Sequence, residues 1–98
     1  MSKIHIVGAG VAGLSAAVRL AGSGRQIFLY ESAGHAGGRC RSYFDDHLGC
    51  RIDNGNHLLL SGNPSVHKYL RTIGASGELI GPERAIFPFI DLSVSKRW

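Results

Sequence analysis

Three glycines at positions 8, 10 and 13 stand in G-x-G-x-x-G spacing, with Ala9, Val11 and Ala12 between them. In such a run the first glycine permits a tight turn, the second lets bare backbone approach a pyrophosphate, and the third lets a helix close onto a strand. The anion would sit on the helix N-terminus, where unpaired N–H groups and the helix dipole favour negative charge. Glu31, with Ser32 after it, lies eighteen positions beyond Gly13. That is close to the separation of about 20 at which an acidic side chain accepts hydrogen bonds from an adenosine ribose. A second glycine turn follows, Gly37-Gly38 beside Arg39. It offers bare amides and a planar guanidinium fork that suits phosphate oxygens better than a lysine point charge. These residues together describe a dinucleotide site. An acid at position 31 disfavours a 2′-phosphate and so disfavours NADP; NAD and FAD both present an adenosine diphosphate, and the first turn does not choose between them.

The elements needed to position these residues are legible around them. Ile4, Ile6 and Val7 form a β-branched run that stops at Gly8, as a buried parallel strand does. Val11, Leu14, Ala17, Val18 and Ala21 recur at helical spacing, and Gly22-Ser23-Gly24 supplies the stop. Gln26 to Tyr30 reads as the second strand, which completes a βαβ unit of about thirty residues. Further on, Tyr43-Phe44 is expected as a short strand running into an Asp45-Asp46 turn, and Leu58 to Leu60 as an apolar core strand. A helix is expected from Asn63 or Pro64 to Ile73, ended by Gly74. Phe87 to Leu92 reads as a strand and Lys96-Arg97-Trp98 as the start of its hairpin partner.

Composition sets the outer limits. Ninety-eight residues, 44% hydrophobic and 18% charged, fit one ordinary globular domain. The 14 glycines are about twice the usual share of roughly 7%, and they gather at the turns assigned to phosphates. The net charge of +4 is dispersed over scattered basic residues, which argues against a nucleic-acid face. Cys40 and Cys50 form no C-x-x-C pair and join no zinc-type ligand set, so reduced thiols and no metal are expected. No stretch reaches the ~18 to 20 apolar residues of a membrane span, and no cleavable leader follows Met1. A cytoplasmic location, at most on the inner membrane surface, is the expectation.

Gly8 to Gly13, Glu31 and Gly37-Gly38-Arg39 with Ser42 resemble the N-terminal FAD-binding region of the flavoprotein amine oxidase and phytoene desaturase superfamily. AGGRCRSYFD, IDNGNHLLLSGNPSVHKYLRTIGA and FPFIDL narrow the resemblance to the squalene-associated FAD-dependent desaturases, or hydroxysqualene dehydroxylases, of bacterial hopanoid biosynthesis. Asp53-Asn54-Gly55-Asn56-His57 is its most specific segment. The resemblance implies FAD as cofactor, held by Gly8, Ala9, Gly10, Val11, Ala12, Gly13, Glu31, Ser32, Gly37, Gly38, Arg39, Asn54 and Gly55. It implies a reduced-flavin enzyme converting hydroxysqualene to squalene, close to the membrane that supplies a polyprenyl substrate. Two positions depart from the pattern: His35, where many members carry arginine, and Asn56, where the desaturases carry glutamine.

The resemblance implies an α/β, Rossmann-like FAD/NAD(P)-binding fold. Residues 1–62 would form the FAD-binding βαβ unit with the Gly-Gly-Arg motif. Residues 63–98 would form a helix and the start of a β-hairpin leading into a substrate domain. Because the hairpin partner stops after three residues, an N-terminal piece of a longer protein is expected, inactive by itself. Among the remaining residues, His57 is a candidate donor to a leaving hydroxyl, against a structural histidine. Asp53 suits an Asx turn more than substrate contact, and Cys40 a small thiol beside a turn more than a covalent flavin anchor. A flavin amine oxidase and a nucleotide-binding module without chemistry are the alternatives.

Overall fold

The computed structural model describes residues 1–55 and 58–98. The order is β1 (Lys3–Val7), α1 (Val11–Leu20), β2 (Gln26–Tyr30), β3 (Ser42–Asp45), β4 (Cys50–Asp53), α2 (Pro64–Thr72), β5 (Ile90–Asp91) and β6 (Lys96–Arg97). β1 and β2 pair in parallel, while β3–β4 and β5–β6 are antiparallel hairpins.

Alternation along β1 decides what α1 covers. Ile4 and Ile6 are half-buried and stand opposite Ile27 and Leu29 of β2. Lys3, His5 and Val7 stand on the other face opposite Gln26, Phe28 and Tyr30. There the His5 ring stacks between Phe28 and Tyr30, at centroid distances of 5.0 and 5.7 Å, and shares a 2.8 Å hydrogen bond with the Tyr30 hydroxyl. Val7 beside them is 87% exposed. Parallel sheets are ordinarily covered on both faces. Among the described residues only the α1 face is covered.

α1 starts at Gly10, an extended N-cap with no side-chain cap, and carries no acid in its first turn. Its last turn holds Arg19, favourable at the negative end of the helix dipole. Regular helix stops at Leu20, two residues before the expected Gly22, because the Ser23 N–H already bonds to the Leu20 carbonyl and Gly24 turns left-handed. α2 follows its expectation closely. Pro64 opens it, and a Schellman cap closes it: Gly74 at φ +73° donates to Arg71, and the Ala75 N–H donates to Leu70.

Two sequence expectations need correction. Leu58 to Leu60 form no strand, and Leu58 and Leu60 are 66% and 52% exposed. The partner of β3 is instead β4, whose only aliphatic side chain is Ile52. The turn creates that pairing: the Asp45 carboxylate accepts from the His47 and Leu48 N–H groups, and Gly49 turns back at φ +63° to donate to the Asp45 carbonyl. The expected strand over Phe87 to Leu92 shrinks to Ile90–Asp91, paired with Lys96–Arg97, and the pairing ends where Phe89 and Trp98 exchange backbone hydrogen bonds at 3.3 and 3.0 Å.

Ala9 is the one buried hydrophobic residue among those described. The radius of gyration is 18.5 Å, against about 13 Å for a compact chain of this size. The elements are set by local pairing and capping, with large apolar surfaces left facing outward.

Candidate functional site

The site forms where three loops meet on one residue. Ala9, 2% exposed, donates its N–H to Glu31 Oε2 at 2.7 Å and accepts at its carbonyl from the Gly37 N–H, also at 2.7 Å. Gly10 and Gly37 pair as a parallel bridge, and the Gly8 N–H donates to the Tyr30 carbonyl. The first glycine turn, the acid at the end of β2 and the second glycine turn are thus tied together, the turns by main-chain bonds and the acid through its carboxylate.

The glycines have different reasons to be glycine. A Cβ on Gly13 would lie 1.8 Å from the Gly8 carbonyl oxygen, so the turn itself forbids a side chain there. Gly37 sits at φ +107°, where a Cβ would also meet the Cys40 carbonyl oxygen at 2.8 Å. Gly10 is neither strained nor crowded: its φ is −70° and a Cβ would meet nothing within 4 Å. Packing among the described residues does not require glycine at position 10. A ligand lying against the backbone there would. With Val11 and Ala12 exposed in the first turn of an uncapped helix, the N–H groups there are open to an anion.

Glu31 is held as an anion. Its Oε1 accepts from the Ala33 N–H at 2.9 Å and, more distantly, from the Ser32 hydroxyl at 3.4 Å. The backbone bonds from Ala33 and then Ala9 lower its pKa below the ordinary 4.5. A carboxylate oxygen has further lone pairs, so both retain capacity for a ribose hydroxyl. The sign of the pH effect follows. With the folded value below the unfolded one, Glu31 stabilises the turn above the ordinary value, and that contribution is lost as pH falls through the lowered one. The ¹³C-carboxyl resonance of Glu31 should therefore reach its titration midpoint below 4.5; a midpoint at or above that value contradicts these bonds.

Arg39 is exposed, and its guanidinium has no hydrogen-bond partner among the described residues. Its carbonyl accepts from Asn54 Nδ2 at 3.2 Å, while the Asn54 N–H donates to the Arg41 carbonyl at 2.9 Å. Asn54 thus reaches the site through the main chain of the second turn. A Cβ at Gly55 would meet nothing within 4 Å. The Asp53 carboxylate accepts from the Ser42 hydroxyl across the β3–β4 hairpin, a structural use. His57 lies outside the described residues.

Sequence reasoning missed how the second turn is braced. Arg41 Nη1 donates to His35 Nε2 at 3.1 Å, and the guanidinium lies over the Tyr43 ring at 5.3 Å from its centroid. The adjacent signal was the unexpected histidine at position 35. A shallow groove of about 360 Å³ between α1 and α2, bordered by Ser15, Arg19, Lys68 and Tyr69, shares no lining residue with either glycine turn.

Residues 6–73 match the model of the NAD(P)-binding Rossmann-like domain. The chain belongs to that family. It is 58% identical, over its whole length, to a hydroxysqualene dehydroxylase from Rhodopseudomonas palustris and 53% identical to one from Zymomonas mobilis. It is also 36% identical over 83% of its length to a zeta-carotene desaturase from Zea mays. The chain spans 24% of the two dehydroxylases and 14% of the desaturase. The α/β dinucleotide-binding fold and the resemblance to the dehydroxylases and desaturases therefore stand.

Proposed function

We propose that this chain is the FAD-binding part of an oxidoreductase that converts hydroxysqualene to squalene. The observation that carries the cofactor assignment is the Ala9 clamp, which joins an open helix N-terminus, an ionised acid and a second glycine turn with an exposed cation. Gly8 to Gly13 and the first N–H groups of α1 would hold the pyrophosphate, with Arg39 and the Gly38 amide beside it, while the Gly37 amide is taken by the Ala9 carbonyl. Glu31, with Ser32 next to it, would accept from the adenosine ribose. One dinucleotide embraced by two glycine turns fits FAD in this family resemblance, and the acid at 31 disfavours a 2′-phosphate.

The substrate assignment rests on the identity to proteins named hydroxysqualene dehydroxylase. When bound and reduced, the flavin supplies the electron pair needed to exchange a hydroxyl for hydrogen, with water leaving. The residues of this chain hold and orient the dinucleotide; the polyprenyl pocket belongs to the rest of a protein of the relatives' length. No helix among the described residues is long and apolar enough to cross a membrane. A cytoplasmic protein touching the membrane surface that dissolves its substrate is the arrangement proposed.

The test is anaerobic turnover by the full-length protein with chemically reduced flavin and hydroxysqualene. Squalene formed in proportion to flavin oxidised is expected; bound flavin with no squalene overturns the substrate assignment. Glu31→Ala in the same protein should weaken FAD binding about tenfold or more, since ribose hydroxyls lose a charged acceptor. Unchanged flavin occupancy after dialysis would remove Glu31 from the site.

A further inference from the structure

We infer that His35 and Arg41 form a staple across the base of the second glycine turn, with His35 acting as a positioning residue for cofactor binding. This rests on the FAD reading above. The two residues flank the turn. Between them the Cys40 N–H donates to the Gly37 carbonyl at 3.0 Å, and the Arg41 N–H to the Arg39 carbonyl at 3.1 Å. The side-chain bond closes the loop from outside, and the Tyr43 ring backs the guanidinium.

The chemistry of the pair fixes its protonation. A guanidinium has only donors, so His35 Nε2 must accept, and the ring proton belongs on Nδ1. From there it faces the Ala36 carbonyl at 3.3 Å, within the same turn. One neutral imidazole therefore bonds on both sides to the segment that presents Gly37 to Ala9. A second proton would turn Nε2 into a donor and set two cations against each other. No carboxylate contacts His35 among the described residues; Arg41 and the Ala36 carbonyl are the groups that face it. Arginine at position 35 would offer no acceptor, so this chain braces the turn by a different contact from one that carries two arginines.

The measurement is the FAD dissociation constant of the full-length protein, by flavin fluorescence, for His35→Ala, Arg41→Ala, the double variant and His35→Gln. Glutamine keeps an acceptor oxygen and cannot be protonated. Each alanine variant should weaken FAD binding about three- to tenfold, as an exposed charge-assisted bond does. The double variant should be no weaker than either single one, and His35→Gln should stay within about twofold of wild type. Additive losses, no loss in His35→Ala, or a loss in His35→Gln as large as in His35→Ala would overturn the staple. Absence of FAD binding by the wild-type protein would overturn the FAD reading and the staple with it.

Discussion

Gly13→Ala is expected to destroy the site and the βα turn together. The added methyl would stand 1.8 Å from the Gly8 carbonyl oxygen, and the next nearest side-chain atom, Ile6 Cγ2, lies 3.5 Å away on β1. Relief requires α1 to lift from β1, which uncovers the Ile4 and Ile6 face and pulls the Gly10 backbone away from Gly37. Overpacking against rigid backbone lies at or above the top of the usual range, so a loss of about 3 kcal/mol or more is expected. Purified protein should be colourless and melt earlier. A variant that keeps both its flavin and its melting temperature would show that the turn is not packed as described.

Gly10→Ala should separate what Gly13→Ala confounds. At φ −70° and ψ −179° alanine is unstrained, and its Cβ would meet no protein atom within 4 Å. Removing glycine from such a position usually raises stability, by up to about 1 kcal/mol, through the unfolded chain. The fold should therefore be untouched or slightly firmer. FAD binding should nevertheless fall by about ten- to a hundredfold, because the methyl would occupy the surface on which the proposed site seats the pyrophosphate. Melting curves of the apo-protein beside FAD titrations read both quantities. Loss of stability with full FAD affinity would mean that position 10 serves packing, and the cofactor lies elsewhere.

The contrast between these glycines also shows what can be read from a sequence. The spacing at 8, 10 and 13 announces the turn, because tight turning, close approach and helix packing each require a missing side chain. It does not say which glycine answers to the protein and which to the ligand; that emerges from where a Cβ would point. β1, α1 and β2 were legible because their apolar residues alternate or recur with a clear period and end at Gly8 and Gly22-Ser23-Gly24. β4 was not, since Cys50–Asp53 has one aliphatic residue and is made a strand by the Asp45 turn rather than by its own pattern. Leu58 to Leu60 misled for the opposite reason: apolar composition suits a core strand, but strand structure also needs a partner to satisfy its backbone, and no strand among the described residues pairs with them. Glu31 was legible as the acid that ends β2, while its grip on the Ala9 N–H was not, because a bond across 22 positions depends on how the two turns meet. Asn54 and the His35–Arg41 pair belong to the same class of long-range fact.

The most direct measurement of the central claim is the identity of the dinucleotide that copurifies with the full-length protein. Heat-released ligand separated by chromatography should be FAD in near one-to-one ratio with protein, and the native protein should show a flavin absorption spectrum. Colourless protein, or protein that releases NAD or NADP in its place, would contradict the assignment of both glycine turns to FAD.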